Sequence, residues 1–155
     1  MKCVTPPSRP GDVLLPFPGP PAAIVRWTEK ETEMAQRCTV PVVRERKVAR
    51  GGDPLVMLTA YDAPGARMVD QAGADMILVG DSVAMVVLGY DDTLQVTVED
   101  IAHHTAAVAR THPSALVIAD MPWMSYHVST ADTVNNAATL IRAGAQAVKL
   151  EGGRR

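Results

Sequence analysis

The stretch ADMILVGDS at residues 74–82 decides the fold. Its central run, Met76 to Val79, has no polar residue to turn toward water, so the strand it forms is buried on both faces, the habit of parallel sheets covered by helices. An acid, Asp81, follows almost at once. Upstream, LVMLTA at 55–60 is another run of strand length. YDAPGARMVDQAG at 61–73 then reads as a helix with Ala66, Met68, Val69 and Ala72 on one face and Gly73 as its stop. Downstream, TVEDIAHHTAAVARTHP at 97–113 predicts a helix capped by Thr97, with Asp100 three residues on and Ile101, Thr105 and Val108 on its inner face. ALVIADMPW at 115–123 is the next strand. STADTVNNAATLIRAG at 129–144 is a helix bounded by a Ser129 or Thr130 cap and by Gly144, and AQAVKLEGG at 145–153 is the last strand. The order β-α-β-α-β-α-β predicts an α/β fold, a parallel sheet joined by right-handed crossovers.

Composition bounds what this sheet belongs to. The 155 residues suffice for one domain but not for a complete barrel of eight strand-helix units, which takes about 250. With 47% hydrophobic and 21% charged residues and a formal net charge of -2, neither a disordered polyelectrolyte nor a nucleic-acid binder held by positive charge is expected. Eight of the 12 prolines fall between Pro6 and Pro41, in sequence without helical or strand periodicity. Residues 1–38 are therefore expected to be a disordered, Pro-rich leader and linker, and 39–155 the folded part. The mixed charges from Thr28 to Arg50 read as a solvated linker with room for a short helix. Cys3 and Cys38 are too few for a disulfide scaffold and suit a reducing compartment. No apolar run approaches the roughly 20 residues that span a bilayer, so the expectation is a cytoplasmic protein with no membrane partner.

Three acids occupy equivalent places. Asp81, Asp120 and Glu151 each follow an apolar strand, which puts all three carboxylates at the C-terminal edge of one sheet, where parallel α/β folds build their sites. One such acid is ordinarily a turn former or a helix cap; three at successive strand ends repel one another and call for a shared cation. An all-oxygen set favours Mg²⁺ over zinc. Lys149 stands two residues before Glu151, and period 2 sends both side chains to one face while Val148 and Leu150 turn to the helices. A lysine inside a sheet is paired or functional, and beside a metal it is placed to bind a small anion. Ser82 adds a hydroxyl and an amide next to Asp81. His103 and His104 fall within the 97–113 helix and are expected to face neighbouring helices or solvent. His127, in the MPWMSYH loop, is within reach of the site. Trp123, Met124 and Tyr126 of that loop read as packing anchors.

The phrases LTAYD (58–62), VGDS (79–82), ADMP (119–122) and KLEGG (149–153), in that order and spacing, resemble those of the ketopantoate hydroxymethyltransferases, also called 3-methyl-2-oxobutanoate hydroxymethyltransferases. The likeness runs from Thr39 to Gly153. It implies a (β/α)8 TIM barrel, of which this chain carries about the first four strands and three helices. It also implies one Mg²⁺ on Asp81, Asp120 and Glu151, and an oxo acid held by Asp81, Ser82, Asp120 and Lys149. The family's reaction, in pantothenate biosynthesis, transfers a one-carbon unit from 5,10-methylenetetrahydrofolate to C3 of 3-methyl-2-oxobutanoate, giving 2-dehydropantoate. The resemblance assigns the general base to a glutamate beyond Arg155, so no catalytic base is expected within these residues. The chain is expected to be a truncated N-terminal half, inactive alone, from a protein that assembles as a homo-oligomer at full length. Two alternatives stand beside it: a Mg²⁺-dependent oxo-acid enzyme like phosphoenolpyruvate mutase or isocitrate lyase, against which LTAYD and KLEGG argue, and a noncatalytic barrel fragment.

Overall fold

A computed structural model of the chain describes residues 37–48 and 53–152. The Pro-rich leader expected over 1–38 lies outside them apart from Arg37 and Cys38. Nine elements follow in order. They are α1 (Val40–Val48), β1 (Met57–Thr59), α2 (Ala63–Gln71), β2 (Met76–Val79), α3 (Val83–Val86), α4 (Val98–Ala109), β3 (Leu116–Asp120), α5 (Thr130–Arg142) and β4 (Ala147–Lys149). The strands form one parallel sheet in the order β1-β2-β3-β4, each beside its predecessor. No described helix is long and apolar enough to cross a membrane.

Alternation along the strands separates two faces. Ile77, Val79, Val117 and Ala119 are buried toward the helices, where they meet Ala66, Ile101, Val108 and Leu140. Asp120 has the opposite parity, and the β3–β4 register sets Lys149 directly beside it. Thus the side chains that carry charge stand on the face turned away from the helical core.

Local chemistry explains where the helices begin and end. Thr97 caps α4 through a full capping box: its hydroxyl accepts from the Asp100 amide at 3.2 Å, and the Asp100 carboxylate accepts from the Thr97 amide at 2.9 Å. Ser129, rather than Thr130, caps α5, its Oγ accepting from the Asp132 amide at 3.1 Å. Gly144 ends α5 at φ 113°, with its amide bonded to the Ile141 carbonyl and the Ala145 amide to Leu140, a Schellman closure. It has a second task, because a Cβ there would lie 2.4 Å from the Ala109 Cβ, so α4 and α5 cross where only glycine fits.

The structure corrects several expectations. The 55–60 run yields a strand of three residues, and Val56, Met57 and Leu58 are exposed, since β1 has a paired neighbour on one side only among the described residues. On α2 the inward residues are Ala66 and Val69; Met68 is 71% exposed and Ala72 is exposed, a narrower face than the sequence suggested. A short helix, α3, follows β2 where no element was expected. Leu150 does not face the helices: β4 stops at Lys149, and Leu150 is 46% exposed. Val148 does pack on the core.

Candidate active site

The C-terminal edge of the sheet gathers its functional groups from all four strands. Asp120, the last residue of β3, is 3% exposed, and its Oδ2 accepts from the Asp81 amide at 3.2 Å, tying the ends of β2 and β3 together. Its Oδ1 pairs with Lys149 Nζ, and the same ammonium lies 3.4 Å from Glu151 Oε1. Asp81, Asp120 and Glu151 line one cavity of about 80 Å³, whose other walls are Thr93, Leu94, Met121, Trp123 and Tyr126. Gly80 keeps room for this cluster, because a Cβ there would lie 3.0 Å from Ser82 Oγ and 3.4 Å from Asp120 Oδ2.

Charge is crowded here. Burial, reinforced by the neighbouring Asp120 carboxylate, raises the Asp81 pKa above the ordinary aspartate value, and Lys149 offsets only part of that. Burial, the largest single effect, would lower the Lys149 pKa, but the hydrogen bonds and charges of Asp120 and Glu151 together outweigh it and hold the ammonium more firmly charged. The donors are all carboxylate oxygens, which suits a hard divalent cation such as Mg²⁺. Among the described residues, however, no group of three His, Cys, Asp or Glu is drawn together tightly enough to hold a metal, and the cation between Asp120 and Glu151 is Lys149. The donor chemistry fits a metal, then, provided that Lys149 shares those carboxylates with it.

Ser82 sits beside this cluster, its Oγ 2.8 Å from the Tyr61 hydroxyl. Tyr61 is the residue that sequence reasoning missed. It follows β1 by two positions, the same place that Asp81 and Glu151 occupy after β2 and β4, so asking what ends the first strand would have found it. His127 is placed differently from the expectation: its Nδ1 accepts from the Met124 amide at 3.2 Å and its ring stacks on Tyr126 at 4.3 Å, so it closes its own loop and does not line the cavity. Of the loop residues read as anchors, Tyr126 packs on the core, whereas Trp123 and Met124 are about half exposed.

Residues 37–155 match the family described as ketopantoate hydroxymethyltransferase. The chain belongs to this family. Its relatives include 3-methyl-2-oxobutanoate hydroxymethyltransferases from Pyrobaculum islandicum, 62% identical over 105 residues (68% of this chain, 40% of that protein), and from Ignicoccus hospitalis, 59% identical over 108 residues (70% and 41%). The Bacillus subtilis relative of the same name is 56% identical over 108 residues (69% and 39%). This chain spans about two-fifths of the length of these relatives. Among solved structures it resembles a phosphoenolpyruvate phosphomutase from Streptomyces platensis subsp. rosaceus, with a TM-score of 0.57 at 20% identity over 70% of this chain and 36% of that one. It also resembles 2,3-dimethylmalate lyase, a member of the PEP mutase/isocitrate lyase superfamily, with a TM-score of 0.52 at 24% identity over 68% and 37%. At those identities the likeness carries the fold alone: the four strands are an arc of a (β/α)8 barrel, in a family of transferase enzymes.

Proposed function

We propose that the protein is a 3-methyl-2-oxobutanoate hydroxymethyltransferase of pantothenate biosynthesis, and that this chain supplies the oxo-acid side of its site. In this reading a one-carbon unit passes from 5,10-methylenetetrahydrofolate to C3 of 3-methyl-2-oxobutanoate, in the cytoplasm, in a homo-oligomer without nucleic-acid or membrane partners. The observation that carries it is the meeting of Asp81, Asp120 and Glu151 at one cavity, with Lys149 paired to the last two, in a chain of this family.

Each group has a part that its chemistry suits. Lys149 supplies the fixed positive charge for the substrate carboxylate, and Ser82 a hydroxyl donor beside it, oriented by Tyr61. Asp81, Asp120 and Glu151 would hold Mg²⁺. When bound, that ion supplies a Lewis acid for the oxo group as C3 gives up its proton. Leu94, Met121 and Trp123 give the cavity an apolar wall, which suits a branched aliphatic chain. Holding the carboxylate at one end and the aliphatic chain at the other fixes which face of C3 meets the folate.

The test pairs two measurements: Mg²⁺-dependent binding of 3-methyl-2-oxobutanoate by calorimetry, then formation of 2-dehydropantoate when 5,10-methylenetetrahydrofolate is added. Saturable binding that Asp120→Asn abolishes is expected. Absence of binding overturns the reading, and binding without product confines it to the oxo-acid half of the reaction.

A further inference from the structure

Tyr61 stands between two ladders. The sheet bonding of β1 ends with the Ala60 amide on the Leu78 carbonyl, and the bonding of α2 begins with the Ala66 amide on the Asp62 carbonyl. The Tyr61 carbonyl falls in the gap, and it is taken by a side chain from another element: His104 Nδ1, on α4, lies 2.7 Å away. A carbonyl can only accept, so the imidazole carries its proton on Nδ1. Forty-three residues of sequence separate the two, and the contact is partly buried. His103, its neighbour on the helix, is exposed.

We propose that His104 is a positioning residue for the oxo-acid site, acting through Tyr61 on Ser82. The inference rests on the function proposed above. The tyrosine ring is half-buried against the core, with its backbone held by His104 at one end and its hydroxyl 2.8 Å from Ser82 Oγ at the other. A tilt at the backbone is magnified at the hydroxyl, the far end of a rigid ring. Ser82 in turn is the residue next to Asp81, so the α4 imidazole sets the direction of a donor that it never touches. Without His104 the Tyr61 carbonyl returns to water, the ring loses its fixed origin, and the Ser82 hydroxyl is free to rotate away from the substrate carboxylate. The helix is well suited to hold such a lever, because its first turn is fixed by the Thr97–Asp100 box and Ile101, Thr105 and Val108 anchor it in the core.

The test exploits the shape of the imidazole. An asparagine amide nitrogen sits at about the place of Nδ1, whereas a glutamine amide reaches toward the place of Nε2. His104→Asn should therefore keep the bond to the Tyr61 carbonyl, and His104→Ala and His104→Gln should lose it. With the full chain and Mg²⁺, His104→Ala and His104→Gln are expected to weaken 3-methyl-2-oxobutanoate binding about three- to tenfold, the worth of one neutral hydrogen bond. His104→Asn is expected to bind within about twofold of wild type. Mg²⁺ affinity should be unchanged in all three. The Tyr61 ring signals in the NMR spectrum of the free protein, assigned with Tyr61→Phe, should shift in Ala and Gln but not in Asn. Unchanged oxo-acid affinity in His104→Ala, or equal losses in Asn and Gln, would overturn the positioning role and leave a helix staple. If wild type binds no oxo acid at all, the function proposed above fails and this inference falls with it.

Discussion

Lys149 holds two carboxylates at once, Asp120 and Glu151, and its removal separates its two possible duties. If the ammonium serves only to neutralise them, Lys149→Ala should loosen the sheet edge and leave substrate affinity alone. On the present reading it should lower 3-methyl-2-oxobutanoate affinity by roughly 10- to 100-fold, the worth of a charge-assisted hydrogen bond. Mg²⁺ affinity should hold or rise, since a competing cation has left a site that keeps its three acids. Calorimetric titration of each ligand separates the two effects. Gly80 offers a steric counterpart: a methyl group there presses Ser82 Oγ at 3.0 Å and Asp120 Oδ2 at 3.4 Å, so Gly80→Ala should weaken oxo-acid binding in the same calorimetric titration. Both residues show what sequence could and could not reveal at this scale. The four charged residues of the edge were legible because parallel strands always bring their C-terminal ends together. The Tyr61–Ser82 bond was not legible, because it depends on how a loop after β1 meets one after β2, and spacing along the chain says nothing of that.

Helix boundaries are written locally, and the capping box of α4 shows how much that is worth. Thr97→Ala should cost about 1 kcal/mol, read as a shift in the urea midpoint, because it orphans an amide of the first turn. The pH dependence follows from its partner. The Thr97 backbone amide and then the Thr97 hydroxyl hold the Asp100 carboxyl below the usual aspartate range, against a smaller opposing effect of burial. A carboxylate whose folded pKa lies below its unfolded one stabilises the fold above the unfolded value, near 3.9, and loses that contribution as pH falls through the folded value. Wild type should therefore exceed Asp100→Ala in stability at pH 7, and the gap should close as pH drops below about 4. Urea melts of both proteins at pH 7, 5 and 3 check this. The same local logic explains why α4 and α5 could be read in advance from Thr97, Ser129 and Gly144, while α3 could not. Ser82 precedes α3 in helical backbone with no side-chain cap bond, and four residues leave no periodicity to detect. Strand lengths were overestimated for the complementary reason that a strand ends where its partner does, which is nowhere in its own sequence.

For the molecule as a whole, the question is whether the described residues can complete the first chemical step by themselves. Removing the C3 proton requires a base within hydrogen-bond reach of it. Around the cavity, Asp120 is held by Lys149 and the Asp81 amide, Glu151 shares the same ammonium, and Asp81 is assigned to the cation. None of the described histidines lines it: His104 is bonded to the Tyr61 carbonyl, and His127 takes the Met124 amide on Nδ1. With substrate bound and no base in place among the described residues, the proton leaves to solvent, which forfeits typically about 10²- to 10⁴-fold. The 155-residue chain should accordingly bind 3-methyl-2-oxobutanoate yet exchange its C3 hydrogen with solvent at least about 100-fold more slowly than the Bacillus subtilis relative does under the same Mg²⁺ concentration. Loss of the C3 proton signal in D₂O, followed by NMR for both proteins, measures this directly. Matching rates would place the base among these residues after all. His127 would then be the first to test, because a rotation that released the Met124 amide would free its Nδ1 beside Tyr126, which lines the cavity, and His127→Gln should abolish the exchange.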